Sequence, residues 1–374
     1  MSGGSRLQAS FAGRSVLVTG HTGFKGSWLC EWLLLLGARV TGFSLPPPTE
    51  PALFEQLALS SRINHVLGDV RDLAAIGACV QAAQPDFVFH LAAQPLVRLS
   101  YREPVETYST NVLGTVHLLE AVRCAARPCV VVCVTTDKCY ENREWLHAYR
   151  EEDALGGYDP YSSSKAAAEL VTGAYRRSFF QNDALSGVAL ASGRAGNVIG
   201  GGDWALDRIV PDCMRALDRG EAIAVRNPHA TRPWQHVLEP LGGYLTLAGA
   251  LAEARAAHDP ERLAACASAF NFGPQLDSNR NVGALVTELL KHRPGSWLDQ
   301  SDPAAPHEAG RLNLAIDKAF HLLDWQPVWG FERSIAETVR WYLRAPREDT
   351  AGFTRGQIEA YLSDATKAGQ GWAR

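Results

Sequence analysis

Three glycines between a predicted strand and a predicted helix constrain this 374-residue chain more than any other feature. Gly20, Gly23 and Gly26 follow the apolar run "SVLVT" and precede "SWLCEWLLLL". Glycines at such a junction let the backbone turn tightly and approach a pyrophosphate, which the free N–H groups of the helix N-terminus bind. The spacing is G-x-x-G-x-x-G and not the usual G-x-G-x-x-G, so the prediction of a dinucleotide site depends on the flanking strand and helix.

The order of apolar runs predicts the fold class. Short β-branched runs alternate with amphipathic stretches, two of which, 104–126 and 161–180, are predicted helices; the predicted strands are 15–20, 39–45, 63–70, 86–93, 130–136 and 186–194. This alternation predicts an α/β protein with a doubly wound parallel Rossmann sheet and helices on both faces. Beyond Asn197 the segments become Gly- and Pro-rich, which indicates a smaller C-terminal substrate-binding lobe. We expect the Rossmann domain over 11–196, with a later return segment around 236–270, and the second lobe over 197–235 and 271–374.

Composition narrows the class of partner. The formal net charge is −4, with 20% charged residues and no basic or acidic block, so nucleic acid is not the expected partner. The apolar runs are too short to span a membrane, and the first thirteen residues lack the apolar centre of a signal peptide. We therefore expect a cytoplasmic protein that binds a small molecule. Eight cysteines without a C-x-x-C pair predict reduced core thiols and no metal site.

The expected cofactor contacts leave one question open. An acid that would bind a ribose 2′-hydroxyl is missing after the second strand, where the chain reads "GFSLPPP". Local chemistry therefore does not separate NAD from NADP, and Lys25 could favour a phosphate. Asp69 in "GDVRD" could accept a hydrogen bond from an adenine amino group, or it could cap a loop.

A tyrosine and a lysine four residues apart form the second motif. Tyr161 and Lys165 in "YDPYSSSKAAAEL" project from one face of a predicted helix. A nearby ammonium favours the phenolate, which predicts that the pKa of Tyr161 falls from about 10 toward neutrality. Downstream of a dinucleotide loop, this pair predicts a general acid or base.

These motifs, with "HLAAQ" at 90–94 and "TNVLGTVHLLEA" at 110–121, resemble the extended short-chain dehydrogenase/reductase superfamily over nearly the whole chain. Within it, "GHTGFKGSWL", "LPPPTEPALFE", "QPLVRLSY", "TTDKCYEN", "GGGDWALDRIVPD" and "RPWQHVLEPLGGYL" are similar to CDP-glucose 4,6-dehydratases, enzymes of deoxysugar and lipopolysaccharide O-antigen synthesis. The resemblance implies a bound NAD that is reduced and reoxidised in each turnover. It also implies that the second lobe binds a nucleotide sugar.

The resemblance assigns roles residue by residue. Tyr161 takes the proton from the sugar O4, Lys165 holds the nicotinamide ribose, and Thr136 hydrogen-bonds near O4. The implied cofactor-binding set is Gly20, Thr22, Gly23, Phe24, Gly26, Asp69, Val70, Leu91, Ala92, Ala93, Tyr161 and Lys165. The implied substrate-binding set is Gln94, Asn197, Arg208, Arg232 and Asn271, with Arg232 at the diphosphate, where a guanidinium fork matches phosphate oxygens. His236 is expected to be structural.

The pair Asp137 and Lys138 in "TTDKCY" is the feature that separates dehydration from epimerisation. Oxidation at C4 makes the C5 hydrogen acidic, and water loss then needs a base at C5 and an acid at O6. We expect Asp137 to be the acid, and Lys138 the C5 base or its electrostatic aid. Many related dehydratases carry glutamate at the second position. A protonated lysine would weaken the neighbouring acid, so either the two side chains point to opposite sides or burial discharges the lysine.

Three alternatives to this function remain at the level of sequence. One is another nucleotide-sugar 4,6-dehydratase, acting on a dTDP-, GDP- or UDP-sugar, and a second is a 4-epimerase. The third is a catalytically silent dinucleotide-sensing protein. The resemblance also implies a homodimer or a dimer of dimers, paired through the helices predicted at 104–126 and 161–180.

Overall fold

A computed structural model describes residues 5–180, 187–301 and 311–374. Its centre is a sheet of seven strands in the spatial order β11-β6-β5-β4-β1-β2-β3, and every neighbouring pair is parallel. The strands of this sheet are β1 (Ser15–Thr19), β2 (Arg39–Ser44), β3 (Asn64–Leu67), β4 (Phe87–His90), β5 (Cys129–Val134), β6 (Val188–Arg194) and β11 (Ala269–Asn271). All six residues of β5 are buried, which explains its unbroken apolar sequence: both faces of a parallel sheet are covered.

Helices cover both faces of the sheet. The helices are α1 (Arg6–Phe11), α2 (Phe24–Leu35), α3 (Leu53–Gln56), α4 (Leu73–Ala83), α5 (Val97–Arg102), α6 (Pro104–Tyr108), α7 (Gly114–Ala125), α8 (Pro160–Tyr175), α9 (Ile209–Asp218), α10 (Leu238–Ala256), α11 (Pro260–Cys266), α12 (Val282–His292), α13 (Asp317–Leu323), α14 (Phe331–Arg344) and α15 (Thr350–Lys367). One core contains Trp28, Leu245 and Trp341 from α2, α10 and α14, and the core of the opposite face contains Val80 and Leu118 from α4 and α7. The predicted doubly wound α/β fold is confirmed.

The two predicted long helices each contain a π-helical turn. The stretch predicted at 104–126 consists of α6, a π turn at Ser109–Leu113, and α7. The stretch predicted at 161–180 is α8 followed by a π turn at Arg176–Phe180. The strand predicted from Ser186 begins as β6 at Val188, and Ser186 itself lies outside the described residues.

Short two-stranded sheets follow β6. They pair β7 (Val198–Ile199) with β10 (Gln235–His236), β8 (Ile223–Val225) with β13 (Trp297–Asp299), and β9 (Thr231–Pro233) with β12 (Asn279–Asn281). The chain returns to the main sheet at β11, which pairs in parallel with β6. Loops and short strands therefore stand above the carboxyl ends of the main sheet.

The cysteines are the reduced core thiols that the sequence predicted, apart from one exposed residue. All eight cysteines are free, and Cys124 is the exposed one. Across residues 5–180, 187–301 and 311–374, no helix has the length and apolar character needed to cross a bilayer. Those ranges also contain no cluster of three or more His, Cys, Asp and Glu side chains able to hold a metal ion.

Candidate active site

The glycine loop forms a cradle that larger residues would fill. Gly20 has a φ of +75°, and a Cβ there would lie 2.7 Å from the backbone nitrogen of Ala92. A Cβ on Gly26 would lie 2.2 Å from the carbonyl oxygen of Gly20. Gly23 is the N-cap of α2, so the first N–H groups of that helix face the loop without a capping side chain. This arrangement fits a dinucleotide pyrophosphate at the helix N-terminus.

A cleft of about 1380 Å³ runs along the carboxyl ends of the strands, beside the point between β1 and β4 where the strand order reverses. Pockets for one drug-sized ligand reach about 1,000 Å³, so this volume has room for a dinucleotide and a second ligand. All of the predicted cofactor-binding residues line it: Gly20, Thr22, Gly23, Phe24, Gly26, Asp69, Val70, Leu91, Ala92, Ala93, Tyr161 and Lys165.

Asp69 is engaged by its own loop. Its carboxylate accepts hydrogen bonds from the backbone N–H and the guanidinium of Arg71, whose other branch reaches Glu106. The hydrogen bond from Arg71 is the largest influence and lowers the pKa of Asp69. Asp69 therefore has the loop-capping role that the sequence left open, while it still lines the cleft. Its contact with adenine stays a prediction.

Lys25 is a partly buried lysine that lines the cleft. Its Nζ lies 3.5 Å from the hydroxyl of Tyr244 and 5.7 Å from the centre of that ring. Burial lowers the pKa of Lys25 to about 7, and the positive charges of Arg208 and Lys165 add to the shift. The sequence marked Lys25 as a possible phosphate contact, but it did not show that this lysine titrates near neutral pH.

The tyrosine and lysine of α8 lie in the cleft as the four-residue spacing predicted. Asp159 caps the helix by accepting the N–H of Ser162, and Pro160 occupies its first turn. The hydroxyl of Thr136, which donates to Asp137, is near enough to the phenol of Tyr161 to act on its pKa, which it lowers. The Nζ of Lys165 donates to the carbonyl of Val134 at 3.3 Å.

The predicted pKa shift of Tyr161 is wrong for the protein chain alone. Burial raises the pKa of Tyr161 to about 12, because it penalises the phenolate more than the Thr136 hydroxyl stabilises it. Burial also lowers the pKa of Lys165 to about 8. The four-residue spacing gave the shared helix face correctly, but it carried no information about desolvation.

Asp137 and Lys138 lie in a short 3₁₀ turn, Asp137–Cys139, directly after β5. Asp137 is fully buried, and its Oδ1 accepts the hydroxyl of Thr136 at 2.9 Å. The Nζ of Lys138 lies 3.5 Å from the same Oδ1, which excludes the alternative that the two side chains point to opposite sides. A 3₁₀ turn does not alternate its side chains as a strand does. Lys138 lines the cleft, with a quarter of its side chain exposed.

The second oxygen of Asp137 is unusual. Among the described residues, Oδ2 has no hydrogen-bond partner although it is buried. Buried polar atoms in proteins are nearly always paired, and exceptions often have a catalytic role. Asp137 is fully buried and is not among the described residues that line the cleft, so Oδ2 is an unsatisfied acceptor directly behind the cleft residues Thr136 and Lys138.

A buried ion pair behind this turn was missed by the sequence analysis. Glu169, one helical turn after Lys165, accepts hydrogen bonds from Arg194 and Ser192 through Oε2 and from Thr135 through Oε1. Arg194 also donates to the hydroxyl of Tyr140 at 2.7 Å. The network therefore holds the residues on either side of Asp137. The signal available in the sequence was an acid on the catalytic face of α8, but its partner lies on β6.

The predicted substrate-binding residues divide into two groups. Asn197, Arg208 and Arg232 line the cleft. Arg208 is paired with Asp203 at 2.8 Å, and Asn197 has a positive φ of 47°. The Oδ1 of Asn197 is buried without a protein partner in the described part of the chain, so a ligand donor can reach it only within the cleft.

Gln94 and Asn271 are not among the described residues that line the cleft. The amide of Gln94 is used internally, by Thr107 and the backbone of Leu96, and that of Asn271 donates to the carbonyls of Tyr149 and Ala315. Their predicted contact with substrate is therefore not supported by geometry. Sequence position alone does not show that a side-chain amide is already satisfied.

Two further polar residues are structural. His236 is fully buried, its ring packs against Trp28 and Trp329, and burial lowers its pKa to about 3. Asn111, in the first π turn, exchanges hydrogen bonds with the backbone of Gln94 and donates to Ser164. Asn111 was not singled out by the sequence, yet it joins the loop after β4 to α8.

Comparisons with known proteins agree with this geometry. A CDP-glucose 4,6-dehydratase of Salmonella typhimurium is 46% identical over 360 residues, covering 95% of this chain and 98% of the relative. The solved structure of DesIV, a dTDP-glucose 4,6-dehydratase from Streptomyces venezuelae with NAD and TYD bound, is 24% identical with a TM-score of 0.72 and covers 88% of this chain and 96% of that one. MoeE5 in complex with UDP-glucose and NAD is 25% identical with a TM-score of 0.69, covering 89% and 99%. The model of the GDP-mannose 4,6 dehydratase family matches residues 17–338, and this chain belongs to that family.

Proposed function

We propose that this protein is a NAD-dependent CDP-glucose 4,6-dehydratase, a lyase that converts CDP-D-glucose into CDP-4-dehydro-6-deoxy-D-glucose and water. The observation that carries the proposal is the buried, unpaired Oδ2 of Asp137 beside Lys138, in the same site as Tyr161 and Thr136. A 4-epimerase needs only the hydroxyl and the phenol. The 46% identity to a CDP-glucose 4,6-dehydratase supports the choice of nucleotide.

The glycine cradle and the N-terminus of α2 hold the pyrophosphate of NAD, and Lys165 holds the nicotinamide ribose. When bound, NAD accepts the C4 hydride of the sugar, returns it at C6, and brings a positive charge that favours the Tyr161 phenolate. Thr22 and Ser44, hydrogen-bonded to each other at 2.9 Å, line the end of the cleft where β2 stops. No acidic side chain follows β2 there, so hydroxyl groups face the adenosine ribose.

Tyr161 and Thr136 act on the C4 hydroxyl. The phenolate of Tyr161 takes the O4 proton as the C4–H bond breaks, and Thr136 orients that oxygen. Both residues line the cleft, and the Thr136 hydroxyl is near enough to Tyr161 to lower its pKa. The resulting C4 ketone makes the neighbouring C5 hydrogen acidic.

Asp137 and Lys138 carry out the elimination. Lys138 takes the C5 proton, Asp137 gives a proton to O6, and water leaves C6. Lys138 then returns a proton to C5 as the hydride reaches C6. The O4 proton gained by Tyr161 balances the proton lost from Asp137. Return of that proton from Tyr161 to Asp137 restores all three groups for the next turnover.

Arg232 and Arg208 supply positive charge for the diphosphate. Both line the cleft, as does Asn197. A guanidinium can make two parallel hydrogen bonds to phosphate oxygens.

The test is incubation of the purified protein with CDP-glucose, dTDP-glucose, GDP-mannose and UDP-glucose, followed by NMR of the products. We expect a 4-keto-6-deoxy sugar from CDP-glucose, and deuterium placed at C4 of the substrate should appear at C6 of the product. Faster dehydration of another donor would change the substrate, and C4 inversion without water loss would replace the dehydratase with an epimerase. If no donor is turned over, the result would favour the alternative of a catalytically silent dinucleotide-sensing protein.

We further propose that two copies pair through α6 and α8. These helices are adjacent, since the hydroxyls of Tyr108 and Ser163 are 2.6 Å apart. Exposed apolar side chains lie on them and on the π turns that follow: Val105, Leu113, Leu170 and Phe179. A twofold axis would cover both helices at once with the same surface of a second copy.

Sedimentation of the wild type should give a dimer or a dimer of dimers, and Val105→Asp with Leu170→Asp should shift it to monomer. Leu298→Asp, at an exposed leucine outside these helices, is the matched control. An unchanged sedimentation coefficient for the double variant would exclude this interface.

A further inference from the structure

Gly196 lies directly against the carboxyl group of Asp137. A Cβ built on Gly196 would lie 1.9 Å from Oδ2, 2.0 Å from Cγ and 2.3 Å from Oδ1 of that side chain. Cβ contacts below 3.0 Å essentially never occur in proteins. Gly196 does not have a positive φ, so the requirement for glycine is one of space and not of backbone conformation. No other amino acid fits while Asp137 keeps its place.

The backbone of Gly196 is held in position by Gln235. The Nε2 of Gln235 donates to the carbonyl of Gly196 and to the carbonyl of Phe272, each at 3.0 Å. The backbone N–H of Gln235 donates to the carbonyl of Asn197 at 3.3 Å. Gln235 is fully buried. A side chain added at position 196 would therefore displace the Asp137 carboxyl before it displaced the glycine backbone.

We propose that Gly196 is a positioning residue for the dehydration step, because it reserves the space in which the Asp137 carboxyl stands. The proposal rests on the function proposed above for Asp137. A protein donor bonded to Oδ2 would also hold the carboxyl, but it would occupy the reacting oxygen and favour the charged form. Contact with a bare Cα restrains the group by shape: Oδ2 is the carboxyl atom nearest to Gly196, and no donor of the described residues is bonded to it.

The first variant is Gly196→Ala. We expect C4 oxidation to continue, since the three atoms nearest to the added methyl group all belong to Asp137 and none to Thr136 or Tyr161. Water loss should slow about 100-fold, the usual contribution of a positioned acid. Reduced nicotinamide should then accumulate on the enzyme during a single turnover, and KM should change less than kcat. A purely structural effect would lower all steps in parallel.

Gly201→Ala is the matched control. Its Cβ would lie 2.0 Å from the Trp341 ring, so the steric conflict is as severe, but it involves a core side chain of α14. This variant should lose thermal stability without accumulating reduced nicotinamide. Accumulation in both variants would overturn the proposal.

A double-mutant cycle keeps the test decisive if Gly196→Ala folds poorly. Asp137→Ala removes the carboxyl group that the added methyl group would meet. Adding Gly196→Ala to Asp137→Ala should therefore change the unfolding equilibrium constant and the rate of residual C4 oxidation by no more than about twofold each. An equal penalty with and without the aspartate would show that the methyl group meets something else. Wild-type turnover in the product assay separates the two failures: if CDP-glucose is not dehydrated the function is wrong, whereas normal dehydration by Gly196→Ala overturns only the role of Gly196.

Discussion

Two buried carboxylates, Asp137 in the turn after β5 and Glu169 on α8, have opposite hydrogen-bonding states. Glu169 has both oxygens occupied, by Arg194, Ser192 and Thr135. Asp137 shares one oxygen with Thr136 and Lys138, and its other oxygen is unpaired in the described structure. Glu169 therefore fixes the site through its hydrogen bonds, whereas Asp137 keeps one oxygen without a protein donor. Because an unpaired buried oxygen lowers stability, we infer that it is retained for chemistry.

The two regions are physically connected. Thr135 donates to Glu169, and the next two residues of the chain are Thr136 and Asp137. Arg194 reaches Tyr140 on the far side of the turn. The fully paired acid therefore restrains the backbone that carries the unpaired one, as a satisfied buried network does.

The largest expected change in the free energy of unfolding comes from removing Glu169, the carboxylate whose two oxygens are both hydrogen-bonded. Glu169→Ala leaves Arg194 buried without its carboxylate, which should lower the free energy of unfolding by about 3–5 kcal/mol. Urea unfolding measures it. Glu348→Ala, which breaks the exposed pair with Arg344, should cost less than about 1 kcal/mol. Equal losses in the two variants would contradict the structural role of Glu169.

Asp137→Asn tests the unpaired side. The variant should lose about 100-fold or more in product formation, or about 2.7 kcal/mol of barrier, because an amide cannot give a proton to O6. It should still oxidise C4, detected as enzyme-bound reduced nicotinamide, and its free energy of unfolding should not fall. Normal dehydration by this variant would remove Asp137 from the mechanism.

Glu169 should make the free energy of unfolding depend on pH. Burial by itself raises the pKa of Glu169, but the charge and hydrogen bonds of Arg194, with those of Thr135 and Ser192, outweigh it and hold the pKa below its usual value. A lowered pKa stabilises the fold above the unfolded value near 4.5, and this stabilisation disappears as the pH falls through the folded value.

The difference in unfolding free energy between wild type and Glu169→Gln should therefore be largest at neutral pH and shrink in acid. Urea titrations at neutral pH and below pH 4.5 measure this difference. A difference that does not change with pH would show that the charge of Glu169 is not what stabilises the fold.

Ser192→Ala should have the smallest effect. It removes one of the two donors to Oε2 of Glu169, at 2.8 Å, and leaves Arg194 in place. The expected loss is about 1 kcal/mol in the free energy of unfolding, the usual value for one hydrogen bond. Thermal and urea unfolding measure it, and a loss as large as that of Glu169→Ala would mean that the hydroxyl and not the ion pair holds the network.

The sequence predicted most of the fold because its signals are local. Strand-length apolar runs, the glycines between β1 and α2, and the spacing of Tyr161 and Lys165 depend on a few neighbouring residues each. All three led to the correct elements, and the loop glycines line one cleft together with the cofactor-binding residues that the resemblance implied. The resemblance carried Asn197, Arg208 and Arg232 to the same cleft.

The predictions that failed concern burial. The pKa of Tyr161 is raised and not lowered, because α8 packs the phenol away from water. The amides of Gln94 and Asn271 are used in hydrogen bonds within the protein, and neither residue is among the described ones that line the cleft, so geometry does not support their predicted contact with substrate. A motif gives the identity of a side chain, but the surrounding elements decide whether its polar atoms are free.

The sequence by itself determined the strands and helices, the dinucleotide loop, and the presence of an acid and a lysine after β5. Only the tertiary structure decided which of the buried acids is paired, that Lys138 turns toward Asp137, and that Gly196 lies against the reacting carboxyl. The physical reason is that periodicity is set by neighbours along the chain, whereas desolvation and hydrogen-bond pairing are set by elements such as β6 and α8 that meet only in the folded protein.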